Sequence, residues 1–266
     1  MKNGENIKSG GKRLVSALTA ILFIISLSGT ALALTGKEIM QNVHDRDTGK
    51  SSASKTKMVI VNDKGQERVR EVQAVRKEYG DLNKSLIRFL APADVKGTGF
   101  LLWENKDKDD DQFLYMPATG KVRRITSSSK SERFMGTEFT YEDMENRKVE
   151  KDDHKLLGEE TIDGHKCYKV QSIPKAGEES QYSKFVSWIR ADIWVPVKVE
   201  FYDEDGALLK VLKVKKIEKI QNIWTTSESE MHNVQKDWKT ILVIEKIQYN
   251  LKIEDNYFTE RYLKQG

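Results

Sequence analysis

The side chains that could do chemistry are few, and they do not gather. The histidines are His44, His154, His165 and His232, and the single cysteine is Cys167. No two of these stand at the spacings that metal-binding motifs use. The acidic run Asp107-Lys108-Asp109-Asp110-Asp111 has the charge of a calcium loop. It lacks the central glycine and the terminal glutamate that close such a loop around the ion, so it reads as a solvated hairpin tip. No G-x-S-x-G elbow, P-loop or H-E-x-x-H motif occurs. A hydrolase would need a cluster formed in space around His154, His165 or His232. The residues therefore argue for a protein without catalysis, metal or cofactor. Cys167 stands in the alternating stretch His165–Val170 and reads as a buried structural thiol, and one cysteine allows no internal disulfide.

The leader sets the compartment. Lys2, Lys8, Lys12 and Arg13 precede the apolar run Leu14–Leu27, and small residues follow up to Ala31-Leu32-Ala33. This order is that of a secretory signal peptide cleaved after residue 33. An uncleaved anchor is the other reading, since Leu14–Leu34 just reaches spanning length. No cysteine follows the cleavage site to carry a lipid, so the expected location of residues 34–266 is the periplasm. Removing the leader's four basic residues and one acid from 45 Lys+Arg and 41 Asp+Glu leaves 41 and 40, a net charge of +1. A nucleic-acid ligand is excluded on that balance, because phosphate binding needs a surplus of cations.

The elements that follow are mostly strands. Thr35 and Glu38 have capping-box spacing and open a helix with Ile39, Met40 and Val43 on one face. From Lys55 onward, short alternating runs recur between turn signals such as Asn62-Asp63-Lys64-Gly65, Asp163-Gly164 and Asp203-Glu204-Asp205-Gly206. Lys210-Val211-Leu212-Lys213-Val214-Lys215 displays a polar face and an apolar face. The expectation is a mainly β chain: a meandering antiparallel sheet that buries one face by curling into a barrel or by taking helices as covers. The helix after Thr35 and a helical pattern over Asn256–Leu263 are the candidate covers. No long helical stretches separate the strands, which argues against βαβ folding.

Two groups of residues stand out against this pattern. Trp103, Phe113, Tyr115, Trp188 and Trp194 fall on predicted strands, where each either packs in the core or lines an apolar groove. Arg123 and Arg124 are adjacent, so on a strand they point to opposite faces; one could meet a phosphate or carboxylate headgroup while the other faces solvent or an acidic neighbour, and ion pairing within the protein, with Glu142-Asp143 as the partner, is the other reading. The segment Thr126–Asp143 breaks the rhythm with a serine-rich stretch and then Phe134, Met135, Phe139 and Tyr141. It is either a mobile flap or a crossover whose aromatics cap the core.

Longer motifs carry a resemblance. Leu114-Tyr115-Met116-Pro117 with Val122-Arg123-Arg124-Ile125, then Phe134-Met135-Gly136-Thr137-Glu138-Phe139-Thr140-Tyr141-Glu142-Asp143, resembles the signature of LolA-like outer-membrane lipoprotein-sorting proteins, in their divergent branch. Lys96–Trp103, Ile162–Tyr168 and Pro196–Asp203 are similar to the flanking segments, so the resemblance spans nearly all of residues 34–266. It implies a half-open antiparallel β-barrel with helices across its concave face. It implies a periplasmic carrier or chaperone that binds the acyl chains of a lipid or lipoprotein and moves them toward the outer membrane, touching membranes transiently. It also implies a place beside RND-type exporters; the alternative is a non-catalytic accessory subunit docking on such a transporter through Thr126–Asp143.

Overall fold

The computed structural model describes residues 34–265, so the basic leader and its cleavage site lie outside the described residues. Helix α1 (Gly36–Asp45) begins where the capping box placed it. The Thr35 amide donates to Glu38 Oε2 at 2.7 Å, and the Glu38 amide donates to Thr35 Oγ1 at 3.2 Å. The Thr35 amide and hydroxyl, both donating to Glu38 Oε2, hold the Glu38 carboxyl below the usual glutamate range.

Thirteen strands follow: β1 (Ser51–Val61), β2 (Glu67–Tyr79), β3 (Leu82–Ala91), β4 (Gly99–Trp103), β5 (Asp111–Met116), β6 (Lys121–Ile125), β7 (Asp152–Ile162), β8 (His165–Pro174), β9 (Lys184–Arg190), β10 (Pro196–Tyr202), β11 (Leu208–Ile220), β12 (Ile223–Asn233) and β13 (Trp238–Tyr249). They form one sheet in the order β6-β5-β4-β3-β2-β1-β13-β12-β11-β10-β9-β8-β7, antiparallel throughout. The expected half-open antiparallel barrel is borne out. The order is two meanders joined where β1 meets β13. Its two free edges, β6 and β7, are consecutive in the chain, so the connection 126–151 must travel from one edge to the other. Register breaks at Lys55/Thr56, Glu71/Val72 and Leu156/Gly158 add the local bends that let a wide sheet curl.

One face of the sheet is the inside. A single cross-strand row, Ile60–Thr240–Met231–Leu212–Val199–Ser187–Val170–Leu156, runs over eight strands on that face. Helix α1 lies on its far end, with Ile39 and Val43 against Val170 and Ile189. The approach is close: a Cβ on Gly36 would stand 2.8 Å from the main chain of His154, Lys155 and Leu156. The other end of the inner face carries Met58, Ile60, Phe89, Phe100 and Leu114, packed beneath Phe134 and Tyr141 of the connection.

The helical pattern at the C-terminus forms two pieces, a 3-10 turn at Asp255–Phe258 and α2 (Glu260–Leu263), because Thr259 is extended and caps the second. These pieces cover the outer face, over Val75, Leu86, Leu101 and Phe113. The cover expected on the concave side at this end is thus on the convex side, where the opposite set of strand residues is also apolar. Among the described residues no helix is long and apolar enough to cross a membrane.

Candidate functional site

The connection 126–151 contributes no strand to the sheet; its one bridge, Arg133 with Thr140, is internal. It nevertheless touches strands far apart in the sheet. Arg70 of β2 donates to the Met135 carbonyl. Gln112 of β5 donates to the Tyr141 carbonyl at 3.2 Å. The Glu138 amide donates to Thr240 Oγ1 of β13 at 2.9 Å, and Asn233 of β12 donates to Glu138 at 3.0 Å. One short segment can reach β2, β5, β12 and β13 only if the sheet curves around it. Of the two readings of Thr126–Asp143, its aromatics do cap the core: Phe134 is 1% exposed and sits 5.1 Å from Phe100 and 6.0 Å from Phe89, ring to ring.

The fill is incomplete. Between the connection, α1 and strands β7–β12 lies a cavity of about 240 Å³. Met40, Val43, Phe139, Phe185, Val199, Phe201, Leu212 and Met231 supply its apolar wall. Tyr182, Phe185 and Phe201 form a triad with centroids 5.2 to 5.6 Å apart, Phe185 edge-to-face with both others and Tyr182 tilted on Phe201. Its other pole is polar and saturated. Arg147 grips Asp152 with Nε at 2.8 Å and Nη2 at 2.6 Å. Glu142 accepts from Ser180 at 2.5 Å and from the Gln181 amide at 3.1 Å. Burial works against the Arg147 charge, yet Asp152 and Glu142 together hold its guanidinium above its ordinary range.

His154 and Ser172 also line this cavity, as a cross-strand pair 2.8 Å apart. The other ring nitrogen of His154 meets the Val149 carbonyl at 2.8 Å. A carbonyl only accepts, so in the neutral ring Nε2 carries the proton and Nδ1 accepts from Ser172. The pair has the bonding of a Ser-His dyad, but Ser172 lies mid-strand with β7 and β9 on either side. The neighbouring amides serve the sheet ladder and leave no N–H pair aimed at a developing oxyanion. Among the described residues no group of three or more His, Cys, Asp and Glu is arranged to hold a metal. Cys167 is buried, and burial pushes its thiol pKa up.

The residues singled out from sequence are dispersed. Phe139 borders the cavity, while Phe134, Met135 and Tyr141 pack on the β1–β6 end of the inner face. Trp103, Phe113 and Tyr115 point to the outer face under the C-terminal segment, with Trp103 Nε1 donating to the Phe258 carbonyl at 3.0 Å. Trp188 is on the outer face with Cys167; it donates to Glu160 at 2.6 Å and lies between Lys198 and Lys169. Trp194 is in the turn after β9, stacked on Tyr168 beside α1. Arg123 and Arg124 do diverge: Arg123 pairs with Glu132 at 3.1 Å over the Tyr141 ring, and Arg124 pairs with Asp111. The partners expected for them, Glu142 and Asp143, are engaged by Arg147 and Lys210. Sequence alone does not mark the cavity wall, because Phe185, Val199, Phe201, Leu212 and Met231 look like any alternating strand residues; the parity of the strands, once paired, is the signal that finds them.

Comparison with known proteins places the chain. A protein-family model described as an uncharacterized protein matches residues 81–265. A DUF1329 family protein from Desulfovibrio piger is 34% identical, with a TM-score of 0.82, over 86% of this chain and 97% of that one. A domain from Vibrio parahaemolyticus, named for outer membrane lipoprotein sorting, is 35% identical with the same TM-score, over 86% of this chain and 98% of that one. A LolA superfamily protein from Nitrosomonas europaea shares the fold at 20% identity and a TM-score of 0.69, over 86% of this chain and all of that one. No curated protein matches.

Proposed function

Because the chain belongs to the DUF1329 family of LolA-like proteins, we propose that it is a periplasmic carrier that shields the acyl chains of a lipid or lipoprotein on the way to the outer membrane, without catalysis. The observation that carries this reading is the cavity on the inner wall and the kind of segment that closes it. The connection 126–151 is held by side chains and single hydrogen bonds rather than by a sheet ladder. It can lift while all thirteen strands keep their pairing.

Size makes lifting necessary. A void of ~150 Å³ takes a benzene-sized guest, so 240 Å³ admits part of one chain and no more. Displacing Phe134 and Tyr141 would join the cavity to the apolar surface of Met58, Phe89, Phe100 and Leu114. Each methylene moved there from water gains about 0.8 kcal/mol, so a long chain can replace the contacts that the aromatics give up.

The test is to extract the native protein with organic solvent, analyse the extract by mass spectrometry, and titrate the delipidated protein with a fluorescent fatty acid. Co-purifying lipid and saturable probe binding that falls in Leu212→Phe and Val199→Phe support the carrier. Absence of both lipid and probe binding overturns it. An accessory role on an RND-type transporter is then the reading left, with 126–151 as the contact.

A further inference from the structure

The carrier's inner wall holds a buried cation that apolar cargo does not explain. Lys210 of β11 is 2% exposed. Its ammonium bonds the Asp143 carboxylate and lies 3.3 Å from the Glu138 carbonyl, with the rings of Tyr182 and Phe201 at 5.0 and 5.1 Å. Its cross-strand neighbour Asn233 donates to the Glu138 carboxylate at 3.0 Å. Lys210 and Asn233 belong to the sheet and offer N–H donors. Asp143 and Glu138, which satisfy them, both belong to the connection that must lift.

We propose that Lys210 and Asn233 form an anion subsite on the inner wall, filled in the closed molecule by Asp143 and Glu138, and that the cargo is an amphiphile with an acidic headgroup, carboxylate or phosphate, which takes their place when the connection lifts. This rests on the carrier reading above. Cargo that covers the opened wall without an anionic group leaves a buried lysine with no counter-charge, which is strongly unfavourable. An anionic head removes that penalty, and a neutral head does not. The geometry suits one molecule serving both sites: Lys210 is two residues from Leu212 along β11, about 7 Å, and Phe201, whose ring it faces, lines the cavity. Asp143 is a complete stand-in for such a head. It also accepts from the Thr140 amide at 2.7 Å and from the Tyr182 hydroxyl at 2.8 Å.

The experiment compares anthroyloxy-stearic acid with its methyl ester, which differ only in the charged head, on the full chain and on a Lys210→Met, Asp143→Asn double variant that removes both charges and so leaves no orphaned ion. The wild type binds the acid at least about tenfold more tightly than the ester, the weight of one charge-assisted hydrogen bond. The double variant loses the preference, because the ester no longer has to cover an unpaired ammonium and binds at least as tightly as it does to the wild type. Lys210→Arg, which keeps the charge, retains the preference. Equal binding of acid and ester by the wild type, or an undiminished preference in the double variant, overturns the subsite and leaves the carrier standing. Failure of both probes to bind the wild type overturns the carrier and the subsite together. Inorganic phosphate or acetate displacing the acid as well as stearate does would assign the subsite to a free anion and overturn the amphiphile.

Discussion

The guanidinium of Arg70 donates to the main-chain carbonyl of Met135, fixing the tip of the connection to β2. Met135 has φ 50°, a left-handed conformation that a methionine adopts only where its surroundings hold it. Arg133 adds a second hold by donating to the Gly136 carbonyl at 2.8 Å while lying 4.7 Å over the Trp238 ring.

Arg70→Ala should therefore loosen the connection before it loosens the sheet. Losing one charged hydrogen bond costs about 1.5–3 kcal/mol. At roughly 2–4 °C per kcal/mol for a domain of this size, calorimetry should show a drop of several degrees. Stopped-flow loading of the fluorescent fatty acid should become faster. Unchanged loading at a lowered melting temperature would remove the tip from the opening step.

Phe134→Ala tests the plug directly. Removing a fully buried phenylalanine typically costs 3–5 kcal/mol, and the space it leaves adjoins Phe89 and Phe100. The variant should melt lower yet bind the probe more tightly, because lifting the segment then sacrifices fewer contacts. Stability and affinity falling together would mark Phe134 as core alone.

Trp103→Ala separates the two faces. Trp103 packs on Phe113 at 5.0 Å and bonds the Phe258 carbonyl, on the side away from the cavity. The expected outcome is a loss of ~3 kcal/mol or more in denaturant unfolding with probe affinity within about twofold of wild type. A large loss of affinity at unchanged fold would return the outer face to the binding site.

The C-terminal segment should respond to acid. Asp255 accepts from Lys77 and from the Tyr79 hydroxyl, both at 2.6 Å, and these bonds lower its pKa from 3.8. A carboxyl with a lowered folded pKa contributes stability above 3.8 that disappears as pH falls through the folded value. Trp103 emission should report the segment loosening below pH 3.8, and Asp255→Asn should show that signal already at neutral pH. Identical acid profiles for the two proteins would exclude Asp255 as the fastening.

Local chemistry was legible throughout. The capping box at Thr35 and Glu38, the turn glycines, the alternation of β2 and β11 and the buried Cys167 depend on neighbours a few residues away, and each appears where the residues place it. The motif blocks around Arg123-Arg124 and Phe134–Asp143 likewise carried the family. The chain by itself thus determined a mainly antiparallel β protein of LolA-like type. Which face of each strand became the inside was decided only in three dimensions. Leu101 and Leu102 are equally apolar, yet one lies under the C-terminal segment and the other under Phe134. Alternation sets two faces apart without saying which is concave; that follows from pairing β1 with β13 and from the 126–151 connection having to span the opening between β6 and β7. For the same reason Lys210 reads as one more polar strand residue, and only the folded wall shows it buried against Asp143.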